Sequence, residues 1–265
     1  MSGDKPTMWL LGCGNMAGAM LQRWTESGTL AAEGVFVVNR HDGDLPVGVR
    51  QGRAFPMDGP PPRYLLLGVK PHQLDTLPSL PKAQVGGLPT IISILAGVDI
   101  ASLQSRFPEY LIVRAMPNLP VALGKGVVAL HGARDLAIEV LMAPLGLVEW
   151  IDDEVLFDAV TALAGSGPGF VYRFIDALAD AGAALGLPTE QAQRLALATV
   201  EGAGALAATS AEMPAVLADR VASPGGSTRQ GLDVLDREDA LKHLIHDTLA
   251  AAARRNAEMA ADARR

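Results

Sequence analysis

Two glycine-rich stretches hold the residues whose types and spacing suit chemistry. In the first, "LLGCGNMAGAM", Gly12 and Gly14 follow an apolar run directly and a helical pattern begins after them. The first glycine permits a tight turn, the second lets backbone approach an anion closely, and the helix start offers free N–H groups to negative charge. Ala17 takes the third small position, where close helix packing is needed. This context reads as a dinucleotide pyrophosphate site, or else as a structural glycine turn. In the second stretch, "VASPGGSTRQGLDVL", Pro224, Gly225 and Gly226 end one helix, and Ser227 with Gln230 makes a capping-box pattern for the next. Free N–H groups there suit a small carboxylate. With Ser227 as the cap, the Thr228 hydroxyl in the first turn is left to face a ligand. A plain turn between helices fits the local pattern at least as well.

The end of the second expected strand sharpens the first site. NAD-specific sites place a carboxylate there for the ribose 2′-hydroxyl, whereas this chain has Asn39 and Arg40 in "VVNRH". A guanidinium pairs with a 2′-phosphate, so NADPH is favoured over NADH. The other reading of Arg40 is an ordinary surface arginine. No metal site is expected: the histidines are scattered without an H-x-x-x-H pair, and the single cysteine also excludes an internal disulfide.

These loops need elements to hold them. Up to Asp153, β-rich runs at 8–13, 35–40, 64–69, 90–95, 110–115, 126–130 and 147–151 alternate with helical stretches at 16–28, 100–107 and 134–145. Runs such as "YLLLGV" and "TIISIL" are apolar on both faces, as buried parallel strands require. The fold class expected is an α/β N-terminal Rossmann-type dinucleotide-binding domain, residues 1–153, built on a doubly wound parallel sheet. After Asp153 the composition turns to Ala, Leu and Gly with helical spacing, giving an all-α C-terminal domain, residues 154–265. The helix at 168–186 carries only a narrow polar stripe, Arg173, Asp176 and Asp180, and the segment 190–209 is nearly uncharged after its first turn. So small a domain cannot bury both helices, which points to a homodimer through the C-terminal half. The alternative is that both pack against the first domain.

Composition bounds the rest. The chain has 265 residues, 49% of them hydrophobic and 19% charged, enough for one large or two modest domains. A net charge of −7 disfavours a phosphate-backbone binder, so the expected partners are small molecules and further copies of the chain, with no nucleic acid. The start imitates an export signal, with a lipoprotein-like box at Leu10–Cys13 and small residues at Ala17–Ala19. However, Lys5 is cancelled by Asp4, and Gly12 interrupts the apolar run. No run approaches the roughly eighteen uninterrupted apolar residues of a spanning helix. A soluble cytoplasmic protein, with no membrane partner, is expected.

In order and approximate spacing, "GCGNMAGAM", "NR", "GVKPHQL", "ISILAGV", "RAMPNLPVALGKGV", "DAVTALAGSGPGFVY", "DALADAGAALGLP" and "SPGGSTRQGL" resemble the pyrroline-5-carboxylate reductase family over about residues 10–235. The resemblance implies NADPH-dependent reduction of a cyclic imino acid to proline, with Thr228 as the catalytic residue oriented toward the ring nitrogen. It assigns the pyrophosphate to Gly12, Gly14 and the backbone of Asn15 and Met16. Val69, Lys70 and Pro71 fall to the nicotinamide ribose, and Ala96, Gly97 and Asn118 to the nicotinamide. The substrate carboxylate goes to Gly225, Gly226, Ser227 and Thr228, with Asp219, Val221 and Glu154 shaping that pocket. It also implies interlocked C-terminal helices, a substrate loop meeting the neighbouring subunit's cofactor, and room for a higher assembly of dimers.

The chain departs from the family pattern in three places. The segment "GVRQGRAFPMDGPPPRY" lacks the asparagine that usually touches the cofactor ribose, "AGSGPGF" replaces "SGSGPAY", and Ser227 stands where Thr or Ala is common. Two other functions fit a dinucleotide fold: a β-hydroxyacid dehydrogenase or related imine reductase, and a non-catalytic NADP-binding regulator. The dehydrogenase needs an acid/base lysine on the long second-domain helix, yet Lys242 is the only lysine after Lys125.

Overall fold

The computed structural model describes residues 7–56, 61–77, 80 and 88–263; the leading residues with Asp4 and Lys5, and 57–60 of the segment lacking the asparagine, lie outside them. Strands β1 (Met8–Leu11), β2 (Val35–Val38), β3 (Arg50–Gly52), β4 (Tyr64–Leu67), β5 (Thr90–Ser93), β6 (Ile112–Pro117), β7 (Gly126–Gly132) and β8 (Gly146–Trp150) form one sheet. Their order is β3-β2-β1-β4-β5-β6-β7-β8. The central strands "MWLL" and "YLLL" are buried at every residue, whereas β8 at the edge alternates half-buried and exposed residues. Pleating sends Met8 and Leu10 into one core with Trp24 of α1 (Asn15–Glu26). It sends Trp9 and Leu11 into a second core with Leu103 of α2 (Ile100–Arg106). Ile138, Leu141 and Met142 of α3 (Leu136–Met142) join the first core, where the Trp24 indole N–H donates to Leu141 O at 2.7 Å.

Two points correct the expected sheet. The sheet is parallel from β3 through β6, but β7 pairs with β6 antiparallel. The β6–β7 link, residues 118–125, is too short for a parallel crossover of roughly a dozen residues, so the chain must double back. Gly124, at φ +66°, closes that turn. Strand β3, sequence "RQG", escaped the pattern because a short polar edge strand shows no apolar alternation.

By packing, the chain forms two compact units, Met1–Ser166 with Ala252–Arg265, and Gly167–Ala251. In the first, α4 (Phe157–Val160) runs into a π turn, Thr161–Gly165. The second holds α5 (Gly167–Ala184), α6 (Thr189–Thr209), α7 (Pro214–Val221), α8 (Ser227–Asp236) and the start of α9 (Ala240–Ala263). Helices α5 and α6 meet through small residues: Ala179, Ala192 and Ala196 are buried, and a Cβ on Gly182 would lie 3.5 Å from that of Ala192. By length and composition, the continuous stretch Glu154–Ala184 is apolar enough to cross a membrane. The stretch is not an uninterrupted apolar run, because Asp158, Arg173, Asp176 and Asp180 break it; Arg173 and Asp176 pair at 2.9 Å.

Candidate active site

The sheet order reverses between β1 and β4, and in such folds the crevice at the carboxyl ends of the two flanking strands is the binding position. Gly12 ends β1 at φ +84°, and a Cβ there would meet the Val69 backbone nitrogen at 2.9 Å. Gly68, which follows β4, is equally constrained, since a Cβ on it would lie 2.7 Å from Gly12 O. Ala17 is small for the same reason: that Cβ would be 3.1 Å from Ala17 Cβ. Gly14 caps α1 without a side-chain hydrogen bond, and a Cβ on it would meet nothing within 4 Å. The bare helix start therefore faces open space beside Asn15 and Met16, as a pyrophosphate requires.

A cavity of about 810 Å³ opens on this turn and is lined by Gly12, Cys13, Gly14, Asn39, Arg40, Val69 and Lys70, together with His41, Arg53, Gly68 and Gln73. Asn39 Oδ1 accepts from the Cys13 N–H at 2.9 Å, so its amide shapes the turn. Gln73 Oε1 accepts from the Lys70 N–H at 2.9 Å and fixes the bend at Pro71. Burial raises the Cys13 thiol to a pKa of about 11. The walls carry cationic side chains and, among the described residues, no carboxylate, so a nicotinamide dinucleotide phosphate fits them.

The remaining expected residues are Ala96, Gly97 and Asn118 of the cofactor site and Glu154 of the substrate pocket. Gly97, at φ +75°, lies close to the last helix: a Cβ on it would meet the Ala260 backbone at 3.3 Å, while the adjoining Ala96 is exposed. Asn118 is buried with both ends of its amide engaged. Its Oδ1 accepts from the Val127 N–H at 2.8 Å, and its Nδ2 donates to Ala164 O, in the π turn, at 2.9 Å. Glu154 Oε1 accepts from the Ile100 N–H at 2.9 Å and from Arg114 Nη1 at 3.0 Å. The Arg114 guanidinium also lies over the Phe157 ring at 4.4 Å. Asn118 and Glu154 thus position the strand ends and the start of α2.

In the second unit, Gly225 adopts φ +73° and turns the chain from α7 into α8. The expected capping box is corrected here: Gly226 is the cap, without a side-chain bond, and Ser227 is the first helical residue. Helix geometry leaves the N–H groups of Ser227, Thr228 and Arg229 without intrahelical carbonyls. Ser227 and Thr228 are exposed. Arg229, at the third position, pairs with Asp219 at 2.5 Å and ties α7 to the loop, while Val221 ends α7 exposed. Lys242 is exposed and bonded to Asp239 at 2.7 Å, so nothing marks it as an acid/base lysine.

Sequence reasoning missed Gly68 and Arg53. The glycine was legible as the residue directly after an all-apolar strand. The arginine was not, because only β3 brings it to the cavity.

Comparison with known proteins agrees with this geometry. Residues 154–259 match the domain described as pyrroline-5-carboxylate reductase dimerisation. The pyrroline-5-carboxylate reductase of Synechocystis sp. is 38% identical over 261 residues, covering 94% of this chain and 97% of that protein. The solved structure of a pyrroline-5-carboxylate reductase from Coxiella burnetii superposes with a TM-score of 0.83 at 28% identity, covering 96% of this chain and 98% of that one. The fold is shared too with the Plasmodium falciparum pyrroline carboxylate reductase, solved with NADP bound, at a TM-score of 0.77 and 23% identity, covering 97% and 99% of the two chains. With two glycine cradles, a helical association segment and end-to-end similarity all in one chain, this protein belongs to the pyrroline-5-carboxylate reductase family.

Proposed function

We propose that this chain reduces 1-pyrroline-5-carboxylate to L-proline, the last step of proline biosynthesis, with NADPH as donor. It is an oxidoreductase acting on a C=N group. The observation that carries the substrate is the uncapped start of α8, where free N–H groups and the Thr228 hydroxyl follow a left-handed glycine. A reduced nicotinamide held at the first cradle by Gly12, Gly14, Arg40 and Lys70 would supply hydride to the imine carbon. The remaining work is positional. The amides of Ser227, Thr228 and Arg229 take the substrate carboxylate, and Thr228 Oγ1 accepts a hydrogen bond from the protonated ring nitrogen, directly or through a water. That nitrogen keeps its proton as the double bond is reduced. Orientation therefore supplies much of the barrier lowering, and no strong side-chain acid is needed.

In this reading residues 1–153 bind the cofactor, and residues 154–265 associate and hold the substrate in a cytoplasmic homodimer. The test is NADPH oxidation by the purified protein on adding pyrroline-5-carboxylate, with NADH and Thr228→Ala run alongside. The expected result is turnover that favours NADPH. In the variant kcat/KM should fall about tenfold to a hundredfold with NADPH affinity unchanged, the loss of one hydrogen bond to a charged group. NADPH binding without turnover would instead favour a related imine reductase or a regulator.

A further inference from the structure

Arg53 directly follows β3 and lines the same cavity as Gly12, Asn39 and Arg40. It reaches that position through backbone pairing. Val38 of β2 registers with Gly52 of β3, and the Asn39 N–H donates to Gly52 O at 3.1 Å. The residue after β3 therefore emerges beside Asn39 and Arg40, where the adenosine ribose lies in folds of this kind. The Arg53 guanidinium is held there by Nη1 alone, which donates to Asn39 O at 3.3 Å and to Asp42 Oδ1 at 2.9 Å. Its Nε and Nη2 make no hydrogen bond among the described residues, and Asp42 does not line the cavity.

We infer that Arg53, at the end of β3, and Arg40, after β2, together form a two-guanidinium clamp for the adenosine 2′-phosphate. The inference rests on the NADPH reading above and makes Arg53 a specificity-determining residue. The free Nε and Nη2 edge of a planar fork matches a phosphate dianion, whereas a ribose hydroxyl leaves that edge without a charge to pair. The pair with Asp42 is solvent-exposed, so it costs little to share the guanidinium with a phosphate.

The experiment is equilibrium binding, by calorimetry, of NADPH, NADH, adenosine 2′,5′-bisphosphate and AMP to the full-length protein and to Arg53→Gln, Arg40→Gln and Arg53→Lys. Thermal melts confirm that each variant folds. Arg53→Gln should weaken NADPH and the bisphosphate about tenfold to a hundredfold and leave NADH and AMP within about twofold. Arg53→Lys should recover part of the loss, since it restores charge without the fork. Equal weakening of both cofactors would make Arg53 a structural partner of Asp42 and overturn the inference, as would an unchanged preference for NADPH. In either case normal NADPH binding by the parent protein would leave the cofactor reading standing. Failure of the parent protein to bind either dinucleotide would overturn both.

Discussion

The α/β layer and the helical unit draw on similar apolar material and treat it in opposite ways. In the first, Met8, Leu10, Met20, Leu21, Trp24, Leu65, Leu66 and Ile91 all lie below 1% exposure, because a sheet covered on both faces closes its core within one chain. In the second, Phe174 on α5 and Leu197 and Leu206 on α6 stand more than half exposed, and the small residues between the two helices are among the few groups buried. Apolar exposure spread over consecutive helices is the mark of an interface whose other half is another molecule. The match of residues 154–259 to a dimerisation domain names that molecule as a second copy. The first unit therefore completes its core alone, and the second completes its core only by association.

Breaking that contrast should have the largest effect. Phe174→Asp or Leu197→Asp should abolish association and, with it, turnover, because a charge would be buried in the interface. Val47→Asp, at the most exposed apolar position of the α/β unit, should leave both unchanged. Sedimentation and initial rates read the difference. Next comes a test of whether the substrate loop of one subunit works with the dinucleotide turn of its neighbour, as the family resemblance implies. If the site is shared, a Thr228→Ala subunit mixed with a Gly14→Val subunit should reach about a quarter of parental activity, above the residual rate of either variant alone. Half the dimers are then mixed, and in a shared site each of these would pair one intact loop with one intact glycine turn. No recovery would place both cradles of a working site in the same subunit.

A smaller effect tests how rigid the first unit is. Gly68→Ala pushes a Cβ to 2.7 Å from Gly12 O. It should lower stability by about 2 kcal/mol and weaken NADPH, while association survives. The smallest effect is at Cys13, the chain's single cysteine. Its raised pKa means that the folded state holds the proton more tightly, so the thiol stays neutral at pH 8. Alkylation should keep accelerating toward about pH 11 instead of levelling near pH 9, and NADPH should slow it further. The same proton contributes stability below the unfolded thiol's pKa, which is lost as pH rises through the folded value.

Apolar pattern alone marked the central strands, the start of α1 and the long helices, since burial on two faces leaves an unbroken apolar run that nothing else explains. Strand β3 and the reversal of β7 were illegible: one is a polar edge and the other follows from a short connection. At the site, glycines announced both cradles through the turns they permit. The capping of α8 was misread because "SxxQ" satisfies a local rule that the left-handed Gly225 shifts by one residue. Asn118 and Glu154 could be picked out as polar residues near a motif, but their partners at Ala164, Arg114 and Ile100 lie far along the chain.

The sequence by itself thus determined the α/β and the all-helical character of the two parts, the two glycine turns that open helices, and the exposed apolar helices that call for a second copy. All of these follow from residue type and local spacing. Only the tertiary structure decided that Gly68 must be bare, that Asn118 and Glu154 find their hydrogen-bond partners at Val127, Ala164, Ile100 and Arg114, and that Arg53 reaches the cavity beside the first glycine turn. Each depends on which strand lies beside which, and strand pairing brings together residues that no local pattern connects.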